Sequence, residues 1–126
     1  MPNEQKRVRV LIVDDEEMIA GTLVQILNAS GFEARAAFTG EEALSIASDF
    51  RPEILLTDVI MRGMSGVDAG MAIAKAHPNC RVILFSGQAA TSDLLDHAMG
   101  QGFCFELVAK PIHPTDLLKT LRSGDC

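Results

Sequence analysis

Apolar and polar positions follow two rhythms along this chain. Short, nearly continuous apolar runs alternate with longer stretches in which apolar residues recur every three or four positions. The first rhythm predicts buried strands and the second amphipathic helices. Val8 to Val13 is β-branched and reads as a first strand, running into Asp14-Asp15-Glu16-Glu17. A helix follows, with Ile19, Leu23, Ile26 and Leu27 at helical spacing, and Gly31 stops it. Phe32 to Ala37 is a weak second strand. Thr39-Gly40-Glu41-Glu42 has the form of a capping box, opening a helix that runs to about Phe50 and buries Ala43, Leu44 and Ala47. Arg51-Pro52 ends it.

Ile54-Leu55-Leu56-Thr57-Asp58-Val59-Ile60-Met61 is an apolar run that carries one carboxylate, and Arg62-Gly63-Met64-Ser65-Gly66 follows as a loop. Such a run fits a strand buried on both faces, as in a parallel sheet. Ser65-Gly66-Val67-Asp68 opens a third helix with an N-cap pattern, and His77-Pro78-Asn79 closes it. Arg81 to Phe85 is a fourth strand, ending on Ser86-Gly87. A short helix is predicted from Thr91 to about Met99, with Leu94, Leu95 and Ala98 inward, broken by Gly100-Gln101-Gly102. Phe103 to Ala109 is a fifth strand, ending on Lys110-Pro111. A last helix spans Pro114 to Leu121, with Pro114 in its first turn and Leu117, Leu118 and Leu121 toward the core.

Five strand–helix units joined by short loops predict an α/β fold, a parallel sheet covered by helices on both faces. At 126 residues the chain has the length of one domain, and an apolar fraction of 48 % suits a buried core. The net charge of -6 argues against direct contact with nucleic acid or an anionic membrane, because no basic stripe exists to neutralise phosphates. No apolar run approaches the ~20 residues of a membrane span. The N-terminus lacks the apolar stretch of a signal peptide, so a cytoplasmic location is expected. The three cysteines, Cys80, Cys104 and Cys126, show neither metal-ligand spacing nor a disulfide framework. Cys80 and Cys104 read as small core residues, and Cys126 as an exposed terminal thiol.

The chemistry lies just past the strands. In open parallel sheets the crevice outside the carboxyl ends of the strands binds ligands. The first strand delivers Asp14 and Asp15 there, the third Asp58, the fourth Ser86 and the fifth Lys110. Each alone has a plain structural reading. Acids favour helix starts, and aspartate and serine favour turns. Together they obey one geometric rule. Three clustered carboxylates repel one another and call for cations. A hard divalent ion such as Mg²⁺ suits them, with Lys110 as a second positive charge. Such a site suits phosphoryl transfer, with Asp58 as candidate nucleophile, Asp14 and Asp15 as metal ligands and Ser86 as hydrogen-bond donor.

This set, with Met61-Arg62-Gly63-Met64-Ser65-Gly66 after Asp58 and proline after Lys110, resembles the receiver domain of two-component response regulators. The resemblance covers residues 7–122 and leaves 1–6 and 123–126 as short flexible tails. It implies a doubly wound, flavodoxin-like (βα)5 sandwich with strand order 2-1-3-4-5. It implies that Asp58 accepts a phosphoryl group from a histidine kinase or phosphotransfer protein. By the same resemblance, Asp14, Asp15, Asp58 and the backbone carbonyl of Ile60 hold Mg²⁺, Ser86 is the switch hydroxyl, and Lys110 contacts the phosphoryl group. The bond between Lys110 and Pro111 is expected to be cis. The output is a change in the surface formed by the helix at 91–99, the fifth strand and the last helix. That surface controls a separate downstream protein or a fused output domain, and the resemblance leaves a phosphorylation-dependent dimer open. The domain is not expected to be an enzyme beyond its own phosphorylation and dephosphorylation. Ile60 and Gln88, two residues past Asp58 and Ser86, line the water's approach by resemblance, and an apolar Ile60 would slow hydrolysis.

Three positions depart from the family pattern. Arg62 stands where proline is common, placing a cation near the site, either in solvent or toward a donor. Gly87 replaces the usual alanine after Ser86. Leu107 occupies the place of an aromatic switch residue, and Phe105, two residues earlier, faces the same side. Phosphorylation would survive this change, while the coupling to the output surface would differ. Two other readings compete. One is a pseudo-receiver that is never phosphorylated and acts as an interaction module. The other is a metal-dependent hydrolase, which would need a general acid or base at the site. His77, His97 and His113 fall on helices or loops with no evident partner there.

Overall fold

In the computed structural model, residues 7–86, 96, 99–102, 105–110 and 113–123 are described. Their strands are β1 (Arg9–Val13), β2 (Glu33–Ala37), β3 (Ile54–Asp58), β4 (Arg81–Ser86) and β5 (Glu106–Ala109), and their helices α1 (Glu17–Ala29), α2 (Gly40–Phe50), α3 (Gly66–Ala76) and α4 (Pro114–Ser123). All strand pairs are parallel and the order is β2-β1-β3-β4-β5, as expected. In the span predicted as a helix from Thr91 to Met99, Asp96 and Met99 have helical backbone. Leu94, Leu95, His97 and Ala98 lie outside the described residues, as do Gly87, Gln88, Phe103, Cys104, Pro111 and Cys126.

Strand alternation splits the core into two layers. Val10, Ile12, Ile54, Leu56, Ile83 and Phe85 face α1 and α4, where Ala20, Leu23, Leu27, Leu117 and Leu121 meet them. Leu11, Val13, Leu55, Val82 and Leu84 face α2 and α3. All five residues of β3 are buried, as the unbroken run requires. Each fully buried Leu or Ile contributes about 2 kcal/mol of transfer free energy, an upper figure when the unfolded chain is compact.

The helix signals hold, with local differences. Gly31 has φ +97° beyond α1, and the Phe32 N–H reaches the Leu27 carbonyl at 3.0 Å. The Thr39 hydroxyl accepts from the Glu42 N–H at 2.9 Å, but the Glu42 carboxylate returns to the Phe38 N–H at 2.7 Å rather than to Thr39. Ser65 caps α3 by accepting from the Asp68 N–H at 3.1 Å. On α1 the expected face holds in part: Leu23 and Leu27 are buried as predicted and Ala20 joins them, while Ile19 is exposed and Ile26 is only half-buried. Leu44 and Leu118 are likewise partly rather than fully buried. β5 begins at Glu106, so the ladder is shorter than predicted.

Candidate functional site

The register of the sheet brings the strand ends together. Val13 pairs with Thr57, Asp58 with Phe85, and Ser86 with Ala109. The backbone stays tied just past the strands: Asp14 N–H donates to the Ala37 carbonyl at 3.1 Å, and Lys110 N–H to the Ser86 carbonyl at 3.1 Å. Asp14 continues the alternation of Val10 and Ile12, Asp58 that of Ile54 and Leu56, and Lys110 that of Val108. The three side chains therefore emerge on the α1–α4 side of the sheet.

There they meet. Lys110 Nζ lies 3.0 Å from Asp58 Oδ2 and 3.8 Å from Asp14 Oδ2. It also sits 4.9 Å from the centroid of the Phe85 ring, so the ammonium rests on an aromatic face while it reaches the carboxylates. Asp58 is buried, and among the described residues no hydrogen bond holds its Oδ1. Asp14 has no solvent exposure. Its Oδ1 accepts the Glu16 N–H at 2.9 Å, but its Oδ2 has no hydrogen-bond partner among the described residues. Burial pushes the Asp14 carboxyl above the ordinary carboxylate range; the Glu16 N–H offsets part of this, Asp58 adds to it, Lys110 opposes it, and Asp15 adds a smaller share. Asp15 completes the cluster. Its Oδ2 accepts the Arg62 N–H at 3.2 Å and lies 3.5 Å from Arg62 Nε.

One carboxylate oxygen each from Asp14, Asp15 and Asp58 lies within 4.8 Å of the others. These residues fit a hard divalent cation. The donors are all oxygen, the protein supplies only part of the shell, and Asp14 Oδ2 is buried without a hydrogen-bond partner among the described residues. Ser86 is buried at the end of β4, while Ile60 is exposed in the loop after Asp58.

A model of the response regulator receiver domain matches residues 10–122. The chain belongs to the response regulator receiver family. This receiver is 32 % identical over 115 residues to the chemotaxis protein CheY of Thermotoga maritima, covering 90 % of this chain and 94 % of that protein. It is 28 % identical over 118 residues to the DNA-binding response regulator MtrA of Mycolicibacterium smegmatis, covering 93 % of this chain and 50 % of that one. It thus spans about half the length of the mycobacterial relatives it matches. A solved response regulator from Burkholderia pseudomallei, described as carrying a phosphorylated aspartic acid, a calcium ion and citrate, has TM-score 0.80 and 27 % identity, over 94 % of this chain and 68 % of that one. No helix among the described residues is long and apolar enough to cross a membrane.

Three contributors escape a reading of the sequence. Phe85 forms the floor under Lys110; its place in strand alternation was the available signal. Gly66 is required by close approach, since a Cβ there would lie 1.8 Å from the Asp58 carbonyl oxygen. The Thr57 hydroxyl donates to that same carbonyl at 3.0 Å. Nothing local in the sequence points to the last two. The structure also separates the two candidates for an aromatic switch. Phe105 is buried in the α2–α3 layer, with its ring close to Gly70, whereas Leu107 is 49 % exposed. Phe105 thus does not stand in for an aromatic at position 107. His77 caps the end of α3 and His113 Nδ1 accepts the Thr115 N–H at 3.3 Å; neither has a contact among the described residues that joins it to the carboxylates. Cys80 is buried, and burial raises its thiol to about 12, as suits a core residue.

Proposed function

We propose that this receiver is phosphorylated on Asp58 by a histidine kinase or phosphotransfer protein, with Mg²⁺ at the acidic cluster. The carrying observation is the cluster itself: three carboxylate oxygens within 4.8 Å, one of them from a fully buried aspartate, beside a lysine 3.0 Å from Asp58. Among the described residues, the resident cations are too few and too poorly placed to satisfy these acids.

Lys110 grips Asp58 Oδ2 and fixes the rotation of the carboxylate. That leaves Oδ1 as the attacking oxygen. In transfer from a phosphohistidine, Oδ1 forms the new bond to phosphorus, the phosphorus–nitrogen bond breaks, and the imidazole departs with its electron pair. Lys110 then has an anionic phosphoryl oxygen to bind in place of Oδ2, and the Ser86 hydroxyl offers a donor from the neighbouring strand. Asp14, Asp15, Asp58 and the Ile60 carbonyl would hold the metal, which when bound offsets the charge of the incoming phosphoryl oxygens. The charge change at Asp58 biases a two-state equilibrium of the loops after β3 and β4. The responding surface comprises β5, α4 and the segment at 91–99, with exposed Leu107 and Met99 on the described part of it. Its target is a partner protein or a fused output domain, and a phosphorylation-dependent dimer is one form such an output takes. CheY is nearly the length of this chain and MtrA twice it, so both arrangements occur among relatives.

Intact mass after incubation with Mg²⁺ and acetyl phosphate tests the assignment. Wild type should gain one phosphoryl group and Asp58→Asn none. An adduct that persists in Asp58→Asn moves the acceptor elsewhere. No adduct on wild type, with Mg²⁺ bound, favours a dedicated donor or the pseudo-receiver.

A further inference from the structure

The three carboxylates of the cluster are not held alike. Asp58 and Asp14 share Lys110, whose ammonium lies over the Phe85 ring and whose side chain is mostly covered. Lys110 cannot swing away without giving up the ring, the Asp58 contact and the neighbourhood of Asp14 together. Asp15 has a different cation. Arg62 reaches its Oδ2 with Nε at 3.5 Å, on a side chain that is 87 % exposed. The Arg62 N–H reaches the same oxygen at 3.2 Å. One carboxylate oxygen of the cluster therefore receives two groups from one loop residue. One group is fixed in the backbone; the other is free to leave into water.

A divalent cation ligated by Asp15 competes with the guanidinium for the same charge. The exposed arginine is the cheaper of the two resident cations to displace, because nothing buried is uncovered when it goes. From these contacts we propose that Arg62 is a tethered competitor for the metal position. It neutralises Asp15 in the metal-free protein and yields Oδ2 when the cation enters. Arg62 thereby sets the Mg²⁺ concentration at which the site fills. It also links filling to the loop between β3 and α3, since release of Asp15 removes the side-chain half of that loop's tie to the residue after Asp14. This inference rests on the reading of the cluster as a divalent-cation site.

The test uses the full chain, with calorimetric Mg²⁺ titrations of wild type and Arg62→Gln, a substitution that keeps the backbone N–H. The variant should bind Mg²⁺ about two- to fivefold more tightly at low salt, the range for an exposed pair. The gap should narrow as potassium chloride is raised, because screening weakens the competitor. Without Mg²⁺ the variant should melt below wild type, and saturating Mg²⁺ should close that difference. If wild type binds Mg²⁺ and the variant binds it equally or less tightly, the competitor role is wrong while the site reading stands. If neither protein binds Mg²⁺, both fall. Binding by the variant alone would mean that Arg62 closes the site outright, the strong form of the proposal.

Discussion

The two edges of this sheet carry charges of the same kinds and treat them in opposite ways. At the amino edge, Arg81 on β4 forms a two-point ion pair with Glu106 on β5 and donates to the Thr120 and Leu121 carbonyls at 2.8 and 3.2 Å. Arg9 on β1 donates to the Phe50 and Arg51 carbonyls and pairs with Glu53. Each arginine there does what unsatisfied helix ends need done, binding the last carbonyls of α4 and α2. At the carboxyl edge, three aspartates cluster with Lys110 beside two of them and Arg62 beside the third, and one buried oxygen has no hydrogen bond among the described residues. At the amino edge the charges of Arg81, Glu106, Arg9 and Glu53 hold elements together. The carboxyl edge keeps charge in reserve, at a cost in stability, and that is where a ligand has something to gain.

Substitutions at both edges can break or sharpen this contrast. The largest expected effect is at Gly66→Ala, where a methyl would collide with the Asp58 carbonyl. Urea unfolding should show a loss of about 3 kcal/mol, and an unaltered midpoint would mean that α3 does not abut the strand end. Next comes Arg81→Ala, which strips Glu106 and two helix-end carbonyls at once. It should cost about 2 kcal/mol, by the same amount with and without Mg²⁺. A cost that changes with Mg²⁺ would show that the edges are coupled.

Asp14→Asn should act in the opposite direction. Removing a buried charge should stabilise the metal-free protein by about 1 kcal/mol near neutral pH and abolish its stabilisation by Mg²⁺. The pH dependence has a defined sign. The Asp14 carboxyl titrates above its unfolded value of 3.8, so the folded protein holds a proton that the unfolded chain has released. Metal-free stability therefore falls as pH rises from 3.8 through the folded value, and the loss persists above it. Melting curves across that window should show this contribution in wild type and not in Asp14→Asn. The smallest effect is at Glu53→Gln, a half-exposed partner of Arg9 at the amino edge, which should move stability by no more than about 0.5 kcal/mol.

The amount legible in the sequence follows the range of the interactions. Sheet class and the meeting of Asp14, Asp15, Asp58 and Lys110 were readable because they rest on short apolar runs and on one rule of parallel sheets. Helix caps at Thr39 and Ser65 were readable because their partners lie three residues away. The buried stripe of α1 was readable at Leu23 and Leu27 but missed Ala20, which carries little hydrophobic weight in a sequence. The solvated reading of Arg62 was half right. Its side chain is exposed, but the loop conformation that sets it against Asp15 joins residues 47 positions apart. The demand for glycine at position 66 is equally non-local, since it comes from how closely a helix start approaches a strand end.

That approach has a mechanical consequence. The Asp58 backbone is held by the close approach of Gly66 on one side, the Thr57 hydroxyl on another and its pairing with Phe85 of β4, while β1 pairs with β3 as far as Thr57. Asp58 is thus a rigid post in the middle of the molecule. Load applied at its tip does not travel down β3. It passes sideways, through the side chain that grips the tip, Lys110, into β5.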